Sequence, residues 1–252
     1  MAPLVITVGQ TAQPAYPGTP FAGNLIAGAS TGVQYAATAV TASRADGAGG
    51  LAMTVGTTDP AGRTIALDVR PDGTGFRVDA QVQGAPDLSA GAEGAKGTLL
   101  GDSFTAPEGE AFHGFGGRHE STDLRGTILD EWLSEEDFGA GPAQPAAGTS
   151  SGSGDAYLFP SGSAAAYYVQ SAFVSQHYGF LLDQDEISHW QLAPPSTPDV
   201  WQVTAGADHL DALVLPGDPA ASIPALTERT GRQRVPPRVG AAAAARPPRL
   251  RR

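Results

Sequence analysis

The chain contains no cysteine among its 252 residues. That excludes disulfide staples, thiolate zinc centres and a thiol nucleophile, while leaving the compartment open, because many secreted bacterial-type proteins also lack cysteine. The N-terminus, MAPLVITVGQ, has no basic segment followed by a long apolar run. Neither a signal peptide nor a membrane-spanning helix is therefore expected, and the location implied is cytoplasmic if that N-terminus is complete. Acidic residues are missing after Glu228, where Arg229, Arg232, Arg234, Arg238, Arg246, Arg249, Arg251 and Arg252 follow. The net charge of -11 thus understates how acidic the preceding body is. Such a body repels phosphate backbones, so nucleic acid is excluded as a partner of the folded part, and a neutral or cationic ligand suits it better.

Glycine (33) and proline (21) together exceed a fifth of the residues, and 41% are hydrophobic. That balance favours short strands joined by many turns around a real core. Leu4-Val5-Ile6-Thr7-Val8 reads as the first strand, and four patches from Val33 to Gln83 end in Gly, Asp or Pro-Asp-Gly, the turn chemistry of a meander. Strands resume near Thr98 to Phe104. The stretch after Trp132, SEEDFGAGPAQPAAGTSSGSGDA, has almost no hydrophobic period and reads as a long, mobile loop. Alternation around Tyr167 to Ala172 suggests another strand, Tyr178 to Asp183 a buried one, and HWQLA, DVWQVTA and DHLDALVLPG three more, with tryptophans at half-buried sites. The fold class expected is mostly β, an antiparallel sandwich occupying residues 1-217.

One helix is expected, Asp218 to Thr230, with Asp218 as N-cap, Pro219 in its first turn, a stripe of Ile223, Leu226 and Thr227, and Gly231 at its end. Pro224 removes a donor and should kink or shorten it. Residues 218-237 then form a helix and exit linker, and 238-252 a disordered Arg/Ala-rich tail with no core residue but Leu250.

The chemistry concentrates in Phe112 to Trp132, FHGFGGRHESTDLRGTILDEW. Gly114, Gly116, Gly117 and Gly126 stand among aromatics, where glycine marks a bend, a bulge or close backbone approach. The bend carries His113, Arg118, His119, Glu120, Asp123 and Arg125 to a rim. These pair with one another to hold the rim, or line a pocket or interface. Five histidines without helical spacing or cysteine partners give no metal site, and no cofactor is implied. Glu135-Glu136-Asp137 reads as a solvated run rather than a catalytic pair. Trp132, Phe138, Tyr157 and Phe159 bracket the long loop as candidate sugar-stacking rings.

FHGFGGRHESTDLRG resembles the strand-turn segment near the end of the N-terminal β-sandwich of glycoside hydrolase family 31, the α-glucosidase and α-xylosidase family. YLFPSGSAAAYYVQSAFVSQHYGFLLDQ and LDALVLPGDPAASIPALTERTGRQRVPP are similar to the strands and the exit that follow, in the same order over about Thr98 to Pro237. The resemblance implies a galactose mutarotase-like sandwich that lends a loop to a sugar pocket, with hydrolysis of α-O-glycosidic bonds in the intact enzyme. This chain departs from the family at Gly117, where many members carry glutamate. It also lacks the (β/α)8 barrel, with the family's two catalytic aspartates, that follows the double proline. Arg238-Val239-Gly240-Ala241 fits a shifted reading frame in a GC-rich gene. No catalytic residue is therefore assigned.

An accessory domain contacting α-glucoside or α-xyloside sugars is the first expectation. The alternatives are a mutarotase-like enzyme using a His and a Glu, such as His113 and Glu120, and a free carbohydrate-binding module. Without a barrel, an apolar face near Trp132, Phe159 and the helix would stand open and drive self-association.

Overall fold

The computed structural model describes residues 4–11, 13–14, 24–25, 33–84, 96–117, 121–131, 168–186, 188–232 and 234. The strands are β1 (Leu4–Thr11), β2 (Gln13–Pro14), β3 (Asn24–Leu25), β4 (Val33–Ala45), β5 (Leu51–Thr57), β6 (Thr64–Asp72), β7 (Gly75–Gln83) and β8 (Lys96–Thr105). After them come β9 (His113–Gly114), β10 (Ile128–Glu131), β11 (Ala172–Val174), β12 (Tyr178–Leu182), β13 (Ser188–Leu192), β14 (Val200–Ala205) and β15 (His209–Pro216). The helix α1 spans Pro219–Thr230. The long loop's centre and the C-terminal tail lie outside the described residues.

The expected meander is present as β4 to β7, each strand antiparallel to the next. The tight turn between Asp72 and Gly75 uses Gly73 at φ 61°, a conformation glycine adopts without steric cost. Thirteen strands form one continuous ribbon in the order β10-β13-β14-β8-β1-β4-β5-β6-β7-β15-β12-β11-β9. The ribbon folds over to make two layers. β4 turns the corner: it pairs with β1 in one layer and β5 in the other, and its register slips between Ala37 and Val40 and again between Val40 and Ala42. Such bulges bend a strand and sharpen its twist, which lets one strand serve both sheets. The β14–β15 turn crosses between layers as well. The carbonyls of Ala207 and Asp208 accept hydrogen bonds from Leu100 of β8 (2.9 Å) and Val82 of β7 (2.8 Å). This is the sandwich that the strand count implied.

The core lies between the layers and is led by aromatics. Phe112, Phe115, Phe173, Phe180, Trp190 and Trp201 are all buried. Phe173 meets Phe112 edge-on at 5.2 Å, Trp201 edge-on at 5.1 Å and Phe180 stacked at 5.8 Å. Trp190 and Trp201 are fully buried rather than half-buried as the sequence suggested. Their indole N–H groups find partners inside, Ser188 Oγ at 2.8 Å and Tyr178 Oη at 2.7 Å, which removes the reason to keep an edge in water.

Two other expectations change. The strand expected from Tyr167 does not run through Ala172: Tyr168 makes one isolated bridge with Gly117, and regular pairing starts at Ala172. Helix α1 begins and ends as predicted, with Asp218 Oδ1 accepting from Ala221 N at 3.1 Å and Gly231 at φ 94°, and it continues past Pro224 to Thr230. Its buried face, however, is Ser222, Ala225 and Leu226, whereas Ile223 is 45% exposed. The cause is close approach: a Cβ on Gly179 would come within 3.1 Å of Ser222 Cβ, so the helix docks through small residues onto β12. Ala225 and Leu226 then cover Ala172, Leu181, Leu213 and Leu215.

Because Phe173 touches both layers, its truncation should cost more than an average core change. Phe173→Ala is expected to lower unfolding free energy by about 3–5 kcal/mol in urea titrations, with loss of the near-ultraviolet tryptophan signal. Phe173→Leu should lose less in stability.

Candidate functional site

The glycine-rich stretch does make the sharp turn expected of it. Gly114 (φ 150°), Phe115 (φ 65°) and Gly116 (φ 79°) all adopt positive φ. A Cβ on Gly114 would collide with the Ala172 carbonyl oxygen, and one on Gly116 with that of Tyr168. Hydrogen bonds from Phe115 N to Ala172 O and from Gly117 N to Tyr168 O, both 2.8 Å, hold the chain against that segment. The left-handed turn aims the Phe115 ring into the core, 5.0 Å from Trp190 and edge-on to it. Its cost, of order 1–2 kcal/mol for a non-glycine residue, is offset by that burial.

Three of the six rim residues are described. His113 is exposed, and its Nδ1 lies 2.7 Å from the Thr122 carbonyl. Asp123 Oδ1 accepts from the backbone N–H of Phe112 (3.1 Å) and of Arg125 (2.9 Å). Arg125 donates Nη1 to Glu110 O (2.9 Å) and Nη2 to Pro198 O (2.7 Å) and Ala106 O (3.4 Å). Among the described rim residues, Asp123 and Arg125 bond to backbone groups rather than to each other, and Arg125 gathers carbonyls from two separate connections. Arg118, His119 and Glu120 lie outside the described residues, as do Trp132, Phe138, Tyr157 and Phe159.

On the outer face of the β6–β7–β15 layer, Asp68, Asp79 and Asp211 stand directly opposite one another on three adjacent strands. Like charges in register repel, and arginines answer them. Arg70 pairs with Asp79 and with Asp68 at 3.4 Å. Arg77 pairs with Asp211, with Asp183 at 2.5 Å and with Asp72 at 3.4 Å. Arg229 of α1 adds a 3.0 Å contact to Asp72, which ties the helix to the network. Burial raises the Asp211 carboxyl above its usual range; Arg77 opposes this and neighbouring Asp79 reinforces it. Beside this row is an open groove of about 420 Å³ with Asp68, Asp79, Gln81 and His209 on its walls and Ala52 and Ala66 among its small residues. Among the described residues, no group of three or more His, Asp or Glu could hold a metal ion.

A buried carboxyl, Glu110, and a half-buried one, Asp102, were not singled out from the sequence. Glu110 is 3% exposed, and neither of its oxygens has a hydrogen-bond partner among the described residues. Burial, together with the Glu110 charge, raises the nearby Tyr178 phenol, against the opposing hydrogen bond from Trp201. Nothing in the loop sequence signalled Glu110. Asp102 did leave a signal, since it shares strand parity with the core residues Leu100 and Phe104, where an apolar side chain belongs. It lines a small cavity with Val78, Val203, Leu210 and Ala212, and its one hydrogen bond among the described residues comes from Ser103 N (2.8 Å).

No family model and no curated protein matches this chain. Solved structures do. An uncharacterized protein of Listeria monocytogenes is 16% identical with a TM-score of 0.57, over 81% of this chain and 23% of that one. The cycloalternan-forming enzyme of Listeria monocytogenes, solved with a pentasaccharide substrate, is 15% identical with a TM-score of 0.56 and the same coverages. A family 31 glycoside hydrolase, the sulfoquinovosidase of E. rectale solved with an aza-sugar inhibitor, is 14% identical with a TM-score of 0.55, over 92% of this chain and 31% of that one. The chain thus has the fold of one part of family 31 glycoside hydrolases and spans less than a third of the length of these structures.

Burial pushes the Asp102 carboxyl up to about 7, with the Ser103 N–H pulling the other way. In the unfolded chain it ionises near the ordinary aspartate value of ~3.9. Below that value both states hold the proton. As pH rises toward 7 the unfolded state ionises without cost while the folded state cannot, so stability is lost. Asp102→Asn should therefore match the parent protein near pH ~4 and exceed it by roughly 2–4 kcal/mol near pH ~8, as measured by urea unfolding at both pH values.

Proposed function

We propose that this chain is the N-terminal β-sandwich of a family 31 glycoside hydrolase, an accessory domain whose catalytic groups lie outside it. The observation that carries this reading is the coverage: 92% of the chain overlays on 31% of a sulfoquinovosidase, and 81% on 23% of an enzyme holding a pentasaccharide. A domain that accounts for a fraction of a sugar-processing enzyme has a positioning task. The sequence segments that resemble the family, including Gly114 to Gly117 and the Asp218-capped helix, support the same reading.

In this proposal residues 1-217 form the sandwich, 218-237 lead toward a (β/α)8 barrel, and Trp132, Phe138, Tyr157 and Phe159 bracket a loop that contacts an α-glucoside or α-xyloside. Such contacts are favourable because flat rings cover the apolar face of a sugar while polar edges meet its hydroxyls. The alternative of an independent mutarotase-like enzyme rests on His113 and Glu120.

Assays of the full chain separate these readings. The accessory role predicts no release from aryl α-glucosides or α-xylosides and no acceleration of mutarotation by polarimetry. Mutarotation that disappears in His113→Ala would overturn it. Saturable oligosaccharide binding that persists when Trp132 and Phe159 are changed to alanine would remove the loop from the proposal.

In this reading the exposed apolar residues Ile223 and Tyr168 belong to the surface that meets the barrel. Ile223 of α1 is 45% exposed and Tyr168 is 62% exposed. Sedimentation over a hundredfold range of concentration is expected to show reversible self-association, lessened by Ile223→Glu. A monomer at every concentration would contradict that surface.

A further inference from the structure

At the end of the sandwich where β8 leaves the core, the layers do not close on each other. Phe104, Thr105, Tyr178, Phe180, Trp201 and Val214 line an open pocket of about 290 Å³. Phe104 and Trp201 stack at 4.3 Å, and Phe104 meets Phe180 edge-on at 5.7 Å, so aromatic surface forms much of the wall. Phe104, Phe180 and Val214 also line a second, deeper space of about 10 Å³, which adjoins the first and is closed by Asp102. The outer chamber approaches the size of small-ligand pockets, at the lower end of their ~300–1,000 Å³ range. The inner space has room for one group the size of a water molecule.

Among the described residues, the charged groups at this pocket are carboxylates. Asp102 has a single hydrogen bond among the described residues, from Ser103 N, and its other inner-space neighbours Val78, Ala80, Val203, Leu210 and Ala212 are apolar. Glu110, buried and without a hydrogen-bond partner among the described residues, places its charge near Tyr178 on the outer chamber's wall. Arg125 donates its guanidinium to carbonyls, including that of Glu110, rather than to either carboxylate. A water at Asp102 would find few polar partners, whereas a buried carboxylate is stabilised by an opposite charge. Aromatic faces attract cations as well.

We propose that this slot is a binding site for a small organic cation, a primary ammonium on a compact apolar body. The ammonium head occupies the inner space against Asp102 and the body fills the chamber between Phe104, Trp201 and Tyr178. Shape and charge select the same ligand: the narrow end admits one small polar head, and only a positive head answers the carboxylate. The proposal goes beyond the accessory role above and does not depend on it. Burial holds much of Asp102 protonated near neutral pH, so occupancy by the cation should take up its ionised form and release a proton.

The test uses the full chain, titrated calorimetrically near pH ~8 with phenethylammonium chloride and with its neutral counterpart phenethyl alcohol. Binding of the ammonium at a single site, at least tenfold tighter than the alcohol, is expected. Asp102→Asn should remove that preference while leaving alcohol binding unchanged, and Val214→Phe, which fills the outer chamber, should weaken both ligands. Near pH ~7, binding in buffers of different ionisation enthalpy should report proton release. Equal affinity for the two ligands, a preference unaffected by Asp102→Asn, or no heat up to about 10 mM ligand would each overturn the proposal and leave the slot as a packing space.

Discussion

The whole arrangement depends on edge-to-face contact among aromatic rings from both layers, with Phe173 at its centre. A chain with only 7% aromatics places six of its largest rings in one cluster. Each favourable ring pair adds about 0.5–1.5 kcal/mol beyond area burial, and the cluster joins segments distant in sequence: Phe112 and Phe115 before the long loop, Phe173 and Phe180 after it, Trp190 and Trp201 on the facing sheet. The positive-φ turn at Gly114 to Gly116 is tolerated because it delivers Phe115 to that cluster. The same ring system leaves the slot beside Phe104 and Trp201, so packing and the proposed cation site have a common origin.

Much of this architecture could be read in the residues. Turn chemistry at Pro71-Asp72-Gly73 marked a hairpin, Asp218 and Gly231 marked both ends of a helix, and glycines among aromatics marked a bend. These are local signals, set by backbone conformations that few residues accept. What could not be read depended on distant partners. Ile223 looked like a helix core residue until Gly179, on another strand, allowed Ser222 to dock instead. The indoles were expected at half-buried sites because nothing in their neighbourhoods showed that Ser188 and Tyr178 would satisfy them. Arg125 and Asp123 are two residues apart and of opposite charge, yet the Arg125 guanidinium meets carbonyls brought in from elsewhere, while Asp123 accepts from Phe112 N and from the Arg125 backbone. Asp102 was visible by parity alone, and its meaning required the opposite sheet.

The outer face shows how an acidic chain tolerates its own charge. Asp68, Asp79 and Asp211 stand in one row, and the repulsion is answered by Arg70 and Arg77, while Arg229 of the helix reaches the adjoining Asp72. Exposed pairs of this kind contribute little individually, though Arg229 links α1 to the sheet through Asp72. Arg229 also lies 3.8 Å from Asp183, so any change in the helix that withdraws it acts on Asp72 and Asp183 together.

The pairing of β7 with β15 carries a consequence for how the protein is made. Arg77 and Asp211 sit on neighbouring strands although they are 134 positions apart. The β4–β7 meander can form as soon as it leaves the ribosome, but one flank of β7 then stays unpaired until β15 has emerged. At translation rates of ~5–20 residues per second this leaves an interval on the order of ten seconds. During it, a strand carrying Val78 and Ala80 presents unsatisfied amides and apolar side chains to other nascent chains. The strand that ends the vulnerability is the last of the described sandwich strands, so yield in the cell should be governed by chaperone capture of this intermediate as much as by the stability of the finished sandwich.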